Sequence, residues 1–533
     1  MPDPVMRSSA WRHLSGPVAI GSMAAAVVTA VLWRGSWGKG LYLYRDFVAV
    51  PEPARPDSLL PDTYAALRAW PLDGVMWAMS SVIPTGVQQL LMLLAIPLIA
   101  GSGVAAVLRA QGRAAAVVGA VLAAWNPYVA ERLLLGQPPT LLAYAVAPWI
   151  VVVARSTLAP RARWPLLVIA ALPAAVTPWG GLIALGTAVL ATLTREDRSW
   201  RSVAASGLVG VGWCLPWLVP SVLATGRSSA DPDGARAFAL ADDTGLGTLW
   251  SALTGGGVWS STARLASRED VLSMAASGVL LVAALAGALT LQGRKRWGAV
   301  GLLLGPALVT VMLSGPLVEV AAGAQGLPGV ALLRDQHRAL GLAALAQAVL
   351  VGHLLGRMRI SGSGGAGVSV SAATAALALT VSAAPDLPGH LTRAYRPVTF
   401  PSAWASVVAT INSSSDVPTT MVSLPWQPLR LTDWAGDRPF LDPTPRALRP
   451  QVLTSSELRV DRDGVTVVVD DHPVVEGQDW SRGELSSHAL AAHGVTHVVT
   501  WLRTPGAQPK VGSGWRLVDR TDDWVVWDVS GAR

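Results

Sequence analysis

Apolar runs long enough to approach a bilayer crossing recur through the first 385 residues, and short arginine-bearing loops separate them. In lipid every backbone polar group needs an internal partner, so such a pattern folds as a bundle of membrane helices. Charged residues make up 14% of the chain, well below the roughly 25% of a soluble globular protein. The fold class expected is mainly α: a polytopic helical membrane body of about eleven helices, followed by a mixed α/β domain.

The expected spans are Val18–Trp33, Val87–Leu108, Ala114–Trp125, Pro139–Ala154, Pro165–Val176, Gly180–Leu193, Val203–Ala224, Val271–Leu291, Trp297–Leu313, Ala339–Leu355 and Val368–Ala384. Several fall short of the ~20 residues that a full crossing needs, and the third, fifth and sixth, the weakest, also admit a broken or re-entrant reading. The first follows a short basic segment (Arg7, Arg12) and reads as an uncleaved helix, because no small-residue cleavage pattern follows it.

Loop charge supplies the orientation. Alternate connections carry Arg109/Arg113, Arg155/Arg161/Arg163, Arg195/Arg198/Arg201, Arg294/Lys295/Arg296 and Arg357/Arg359, with Glu196 and Asp197 the acids among them. The intervening connections mix both signs and include the long loops 34–86 and 225–270. By the positive-inside rule the N-terminus is cytoplasmic and the long loops face outward. An odd number of crossings then makes residues 386–533 an extracytoplasmic domain behind a membrane body of residues 1–385. The expected location is the plasma membrane.

The net charge of +7 is spread over these loops, which marks topology and not a nucleic-acid groove. Only Lys39, Lys295 and Lys510 are lysines, an arginine bias that genome composition explains. Cys214 is the single cysteine, so there is neither an intrachain disulfide nor a thiol metal cluster. Ser361–Gly367 reads as a flexible inner loop. In the tail, Thr420–Leu424, Val465–Val469, Thr496–Trp501 and the Trp515–Val529 region read as strands. Asp463-Gly464 has the composition of a hairpin turn, and Arg482–His493 reads as a helix stopped by Gly494.

Ionisable groups inside the helices are rare. His353 is one, and it reads as a neutral side chain bonded to a neighbouring helix. The absence of acids at mid-helix counts against an ion-coupled transporter. The loops hold more chemistry. The first carries Tyr44-Arg45-Asp46-Phe47 and then Glu52, Asp57, Asp62 and Asp73. Most such acids are simply solvated, but Asp46 falls soon after the first helix and between aromatics. A carboxylate held near the membrane surface has the chemistry of a general base towards an acceptor hydroxyl.

The run from Asn126-Pro127-Tyr128 through Glu131-Arg132 to Gly136-Gln137 forms an outward polar turn. It has two readings: an interfacial helix whose charges meet lipid headgroups, or a contact to donor phosphate or sugar through Arg132 and Gln137. Arg334-Asp335-Gln336-His337-Arg338 opens the tenth helix. Two arginines and a histidine at a helix N-terminus favour phosphate, although arginines there also snorkel. Asp231-Pro232-Asp233 matches a short Asp-x-Asp pattern through which a divalent metal is possible, and its proline equally suggests a turn. No zinc spacing, phosphate-binding Gly-rich loop or nucleophile elbow occurs, so no cofactor is expected. The eight tail tryptophans read chiefly as core.

The segment Leu122-Ala-Ala-Trp-Asn-Pro-Tyr-Val-Ala-Glu-Arg-Leu-Leu-Leu-Gly-Gln137, continued by Leu141-Leu-Ala-Tyr-Ala-Val-Ala-Pro-Trp149, resembles a signature of actinobacterial multi-pass proteins. Tyr44-Arg-Asp-Phe-Val-Ala-Val-Pro51 and the stretch from Leu424-Pro-Trp426 to Leu441-Asp-Pro443 fit the same group. Such chains are similar to the GT-C superfamily of membrane glycosyltransferases, which includes arabinosyl- and mannosyltransferases of mycobacterial envelopes. The resemblance implies a polyprenyl-phosphate sugar as donor, an envelope glycan or lipid as acceptor, and catalysis on the outer side by an acid of the first long loop. Asp46 fits that position, with Arg45, Glu131, Arg132, Gln137, Arg334, Asp335, His337 and Arg338 as candidate donor or substrate contacts. The adjacent acid pair often seen in that loop is missing here. A non-catalytic envelope-assembly or lipid-glycan-binding protein is the alternative.

Overall fold

The computed structural model describes residues 4–56, 60, 69–196, 199–223, 230–327, 329–358, 365–413, 420–462, 464–471, 474 and 477–531. Asp57, Asp62, Asp197, Arg198, Arg359 and Asp463 lie outside the described residues, as do residues 361–364 of the glycine-serine stretch. The chain forms two compact units. One comprises Met1–Gly35, Leu91–Leu218 and Gly234–Arg393; the other comprises Ser36–Leu90, Val219–Asp233 and Ala394–Arg533.

The first unit is helical. Among the described residues six helices are long and apolar enough to cross a membrane: Thr85–Val107, Arg113–Leu134 (two helical segments in series), Trp200–Leu223, Val271–Leu289, Gly293–Ser314 and Gln336–Met358. A bent pair, Val370–Ser382 with Leu387–Ala394, brings the number to seven if counted as one span. Of the other expected spans, the first lies in the helix Pro4–Leu32, 29 residues long, and the rest are helical but short. Pro138–Ala154 has 17 residues, about 26 Å of helix against a hydrocarbon core of roughly 30 Å. Pro160–Ala171 gives way to a 3-10 turn at Leu172–Val176, where Pro173 removes a donor. The expected eleven crossings are therefore supported as six or seven.

Small residues set the helix packing in this unit, as in membrane bundles generally. A Cβ at Gly101 would stand 2.7 Å from Ala25 Cβ and 2.9 Å from the Ala120 carbonyl oxygen. One at Gly287 would stand 2.3 Å from the Leu350 carbonyl oxygen. His353 Nε2 lies 3.1 Å from Thr290 Oγ1, and Cys214 is a buried free thiol.

The second unit is built on a five-stranded sheet of order β4-β1-β7-β9-β8. Its strands are β1 (Thr420–Leu424), β4 (Gln451–Leu453), β7 (Val495–Trp501), β8 (Arg516–Arg520) and β9 (Trp524–Asp528). β4 and β7 flank β1 in parallel, whereas β9 runs antiparallel to both β7 and β8. Strand periodicity divides the side chains between two cores. Met421, Val452, Val499, Trp501, Trp524 and Val526 join Trp404, Val407 and Ile411 of the helix Ala403–Ser413. Val422, Leu424, Val498 and Val529 join Trp480, Leu485 and Leu490 in the other cluster. Burial on both faces explains why β1 and β7 read as apolar runs without clean alternation.

Two small ribbons complete the unit: β2 (Leu429–Arg430) with β3 (Phe440–Leu441), and β5 (Leu458–Arg462) with β6 (Val465–Val469). β5 and β6 pair antiparallel with Arg462 opposite Val465, and Gly464 between them has φ +79. The helix expected over Arg482–His493 is confined to Ser487–Ala492. Gly483 has φ +75, and a Cβ there would meet the Gln508 carbonyl oxygen at 2.0 Å. The Ser486 side chain then accepts from the Ala489 N–H as a new N-cap. Gly494, with φ +62, ends the helix as expected.

Trp501 is 1% exposed and packs against Trp404, Trp524 and Phe440. Trp501→Ala should destabilise this unit by about 3–5 kcal/mol, measured as a lowered denaturation midpoint of the full chain followed by protease cleavage within residues 420–531.

Candidate functional site

In the first unit Asn126 interrupts the apolar helix Arg113–Ala124. Its side chain accepts from the Val129 N–H at 3.0 Å, and Pro127 occupies the first helical position. The following helix, Pro127–Leu134, is buried at every residue. The run expected as a polar outward turn is thus an interior element, and its charges must find partners inside the protein.

Arg132 finds several. Its Nη1 and Nη2 donate to Asp335 Oδ2 and Oδ1 at 2.6 and 2.8 Å. Nη1 also donates to Gln137 Oε1 at 2.8 Å, and Nε to His337 Nδ1 at 3.0 Å. Nη2 lies 2.8 Å from the same His337 nitrogen. Arg132 is 0% exposed, and this set occupies its five-donor fork. An Nδ1 that accepts from a guanidinium leaves the His337 proton on Nε2, which lies 3.0 Å from Glu131 Oε2. Tyr128 stacks on the imidazole with ring centroids 5.5 Å apart and donates to the Arg338 carbonyl at 3.1 Å.

Glu131 continues the chain. Its Oε2 accepts from the Val258 N–H at 3.0 Å, and its carboxyl lies close enough to Asp243 for the two to interact electrostatically. Asp243 is held by Arg268, whose Nε and Nη2 lie 2.9 and 3.2 Å from its two oxygens. Arg268 also donates to Thr254 Oγ1 at 2.8 Å. Burial raises the Asp243 pKa, but the Arg268 guanidinium outweighs it, aided by hydrogen bonds from Arg268, Glu131 and Ser251. The net effect is a carboxyl held well below the ordinary aspartate range.

At the other end Asp335 accepts from Arg338 Nε at 3.0 Å. Arg338 is partly exposed and lines a narrow cleft with Tyr128, Thr140, Tyr144, Trp179 and Leu342. Arg334 packs its guanidinium 5.0 Å from the centre of the Phe238 ring. Glu131, Arg132, Gln137, Asp335, His337 and Arg338 are therefore brought into one network. Asp243 and Arg268 belong to it but were not singled out from the sequence. The available signal is the run Gly255-Gly256-Gly257: a Cβ at Gly256 would meet Asp243 Oδ2 at 2.3 Å and Arg268 Nη2 at 2.6 Å.

Arg45 and Asp46 belong to the second unit. They form the centre of a two-residue turn, in which Tyr44 N donates to Phe47 O at 3.1 Å and Phe47 N to Tyr44 O at 2.9 Å. Arg45 has φ +48, uncommon for a residue with a side chain. Its own backbone is fixed on both sides: N–H to Pro439 O at 2.7 Å, and carbonyl from Leu441 N at 2.8 Å. Tyr44 and Phe47 pack on the buried Tyr395 with centroids 5.5 and 5.9 Å away. Asp46 is exposed on this fixed turn. Asp73 instead pairs with Arg446 at 2.9 Å.

Among the described residues no group of three His, Cys, Asp or Glu side chains could hold a metal ion. Asp231 Oδ1 accepts from Asp233 N and Oδ2 from Asp470 N, each at 2.9 Å. The Asp-x-Asp pattern is a turn here, with both Asp231 oxygens taken by backbone amides.

A helical membrane body with a mixed β-sheet domain is a fold this chain shares with solved structures. The chain superposes on the cryo-EM structure of the arabinofuranosyltransferase AftD from Mycobacteria with a TM-score of 0.61 and 16% identity, covering 96% of this chain and 40% of AftD. A mutant form of AftD gives 0.57 and 17%, covering 96% and 41%. The archaeal oligosaccharyltransferase AglB from Archaeoglobus fulgidus, at 0.40 and 11% over 92% of this chain and 70% of AglB, is too weak a likeness to support the fold. This chain thus spans about two fifths of AftD's length. No protein-family model and no curated protein sequence matches it.

Arg132→Ala would take from the buried Asp335 its bidentate partner, leaving it only Arg338. The expected cost is about 3–5 kcal/mol, measured as a lowered unfolding midpoint in nanodiscs. Arg132→Lys should recover only part of it, because an ammonium cannot reproduce the fork. Asp243, with its depressed pKa, stabilises the fold above the ordinary aspartate value of about 3.9 and loses that contribution as pH falls below it. Asp243→Asn should flatten the acid limb of a stability–pH curve below about pH 5.

Proposed function

We propose that this protein is a membrane glycosyltransferase, moving a sugar from a polyprenyl-phosphate donor to a cell-envelope glycan or lipid acceptor on the outer side of the plasma membrane. The GT-C-like fold over 96% of the chain carries this reading, and Asp46 gives it a reactive group. A carboxylate displayed on a turn whose backbone is clamped, and whose flanking aromatics are buried, costs little reorganisation when it accepts a proton. Asp46 takes the proton of the acceptor hydroxyl as that oxygen bonds to the anomeric carbon. The bond from that carbon to the phosphate oxygen breaks, and polyprenyl phosphate leaves with the electron pair. Displacement from the opposite face inverts the anomeric centre.

Arg334 and Arg338 are the donor-phosphate ligands in this proposal. With its Nε taken by Asp335, Arg338 has its two Nη groups to offer phosphate oxygens. Arg132, Glu131, Asp335 and His337 hold Arg338 in place and do not touch the donor; Gln137 is a contact of Arg132.

One observation favours a second reading. Asp46 lies between Arg45 and Phe47 without an adjacent acid, which suits a non-catalytic factor that holds a lipid-linked glycan or an assembly partner. The two readings separate on Asp46→Asn. The exchange preserves size on an exposed turn, so folding should be unaffected, while transfer from radiolabelled polyprenyl-phosphate pentose or hexose should fall about 10²–10⁴-fold. Full transfer by the variant would remove Asp46 from catalysis.

A further inference from the structure

The second unit contains a cleft that neither the turn at Asp46 nor the buried network uses. Its volume is about 400 Å³, and its walls are Pro51, Glu52 and Pro53 on one side and Trp77, Ala78, Ser80 and Ser81 on the other. That volume falls within the range of small-ligand sites.

Both walls are anchored from behind. The Val50 carbonyl accepts from Thr85 Oγ1 at 2.7 Å, next to the first wall. The Met76 and Ile83 carbonyls accept from Gln88 Nε2 at 3.1 and 2.8 Å, fixing the helix Leu72–Ser80 and the turn after it. Arg446 joins the two walls: its carbonyl accepts from Ala54 N at 2.8 Å, and its guanidinium pairs with Asp73. Both walls of the cleft are thus hydrogen-bonded into the folded unit.

The lining has a particular chemistry. Trp77 and two prolines offer flat apolar surface. Glu52 offers an exposed carboxylate, and the Ser80 and Ser81 hydroxyls, which donate to the Trp77 and Ala78 carbonyls, keep lone pairs for an incoming donor. Among the described residues no cation lines the cleft, so none of them would neutralise an anionic ligand, and Glu52 would repel one. An apolar face bordered by hydroxyl groups that donate to carboxylate and serine oxygens is the profile of a neutral sugar ring.

We propose that this cleft is a subsite for a neutral sugar residue of the acceptor glycan. The assignment to an acceptor rests on the transferase reading; the binding of a neutral glycan does not. Position supports the link, because Glu52 follows Asp46 by six residues, at most about 20 Å of extended chain. A glycan lying in the cleft could therefore present a terminal hydroxyl to the Asp46 turn.

The test is binding of neutral pentose and hexose tetrasaccharides to the full chain in nanodiscs by saturation-transfer NMR, with a uronic-acid tetrasaccharide as the charged control. Wild type should bind a neutral probe and not the charged one. Trp77→Ala should weaken binding about three- to tenfold, Trp77→Phe should keep most of it, and Glu52→Gln, on an exposed side chain, should weaken it without disturbing the fold. Unchanged binding in both Trp77→Ala and Glu52→Gln would overturn the proposal. So would a protein that binds no neutral glycan while Trp77→Ala lowers partition of the Trp77 region into phospholipid vesicles, which would make the cleft a membrane contact. Intact glycan binding by a wild-type protein that transfers no sugar would instead refute the transferase reading and leave the site standing.

Discussion

Burying ionised groups among apolar helices costs several kcal/mol per ion unless each finds a partner of good geometry, and the first unit depends on meeting that requirement. Arg338, Asp335, Arg132, His337, Glu131, Asp243 and Arg268 do so as one chain of alternating contacts. The arrangement draws on distant parts of the sequence: a helix at Pro127–Leu134, a loop at residues 243–268 and the segment before Leu340–Met358. Removing a member takes a partner from another, so the chain favours one packing of these elements where apolar contacts alone would tolerate several. Arg338, at its partly exposed end, is the member proposed as a donor-phosphate ligand.

The second unit meets a different constraint. A sheet apolar on both faces needs two cores, and its tryptophans fill them. The segment Leu41–Val50 enters one of these cores through Leu41, Leu43, Val48 and Val50. That burial holds the Asp46 turn: Leu41 pairs with Val398, and Arg45 is clamped to residues 439–441. The carboxylate proposed as the base is thereby placed on a sheet domain and not on a free loop.

Much of this was legible in the sequence because it is local. Apolar runs marked the helices, β-rich runs marked β1, β6 and β7, and polar density marked Glu131-Arg132 and the Arg334–Arg338 segment. Length did not follow from apolarity, since prolines at 138, 160 and 178 start helices that stop short of a crossing. Asp243 and Arg268 sit in a loop whose composition is ordinary, and only tertiary pairing reveals them. The split of Arg482–His493 likewise depended on the Gln508 carbonyl, a neighbour that no helical periodicity announces. Burial of the Asn126–Gln137 run went unread for the same reason: its charges read as surface until their partners, far along the chain, are known.

The central claim is that the protein turns over a lipid-linked sugar, and mass balance in a defined membrane tests it most directly. Purified wild-type protein in liposomes would be given a radiolabelled polyprenyl-phosphate sugar and an envelope-derived glycan. The account expects label to appear in the glycan in step with release of polyprenyl phosphate, with the anomeric centre inverted. Donor that stays bound but intact across pentose and hexose forms would contradict it and leave a lipid-glycan-binding assembly protein in its place.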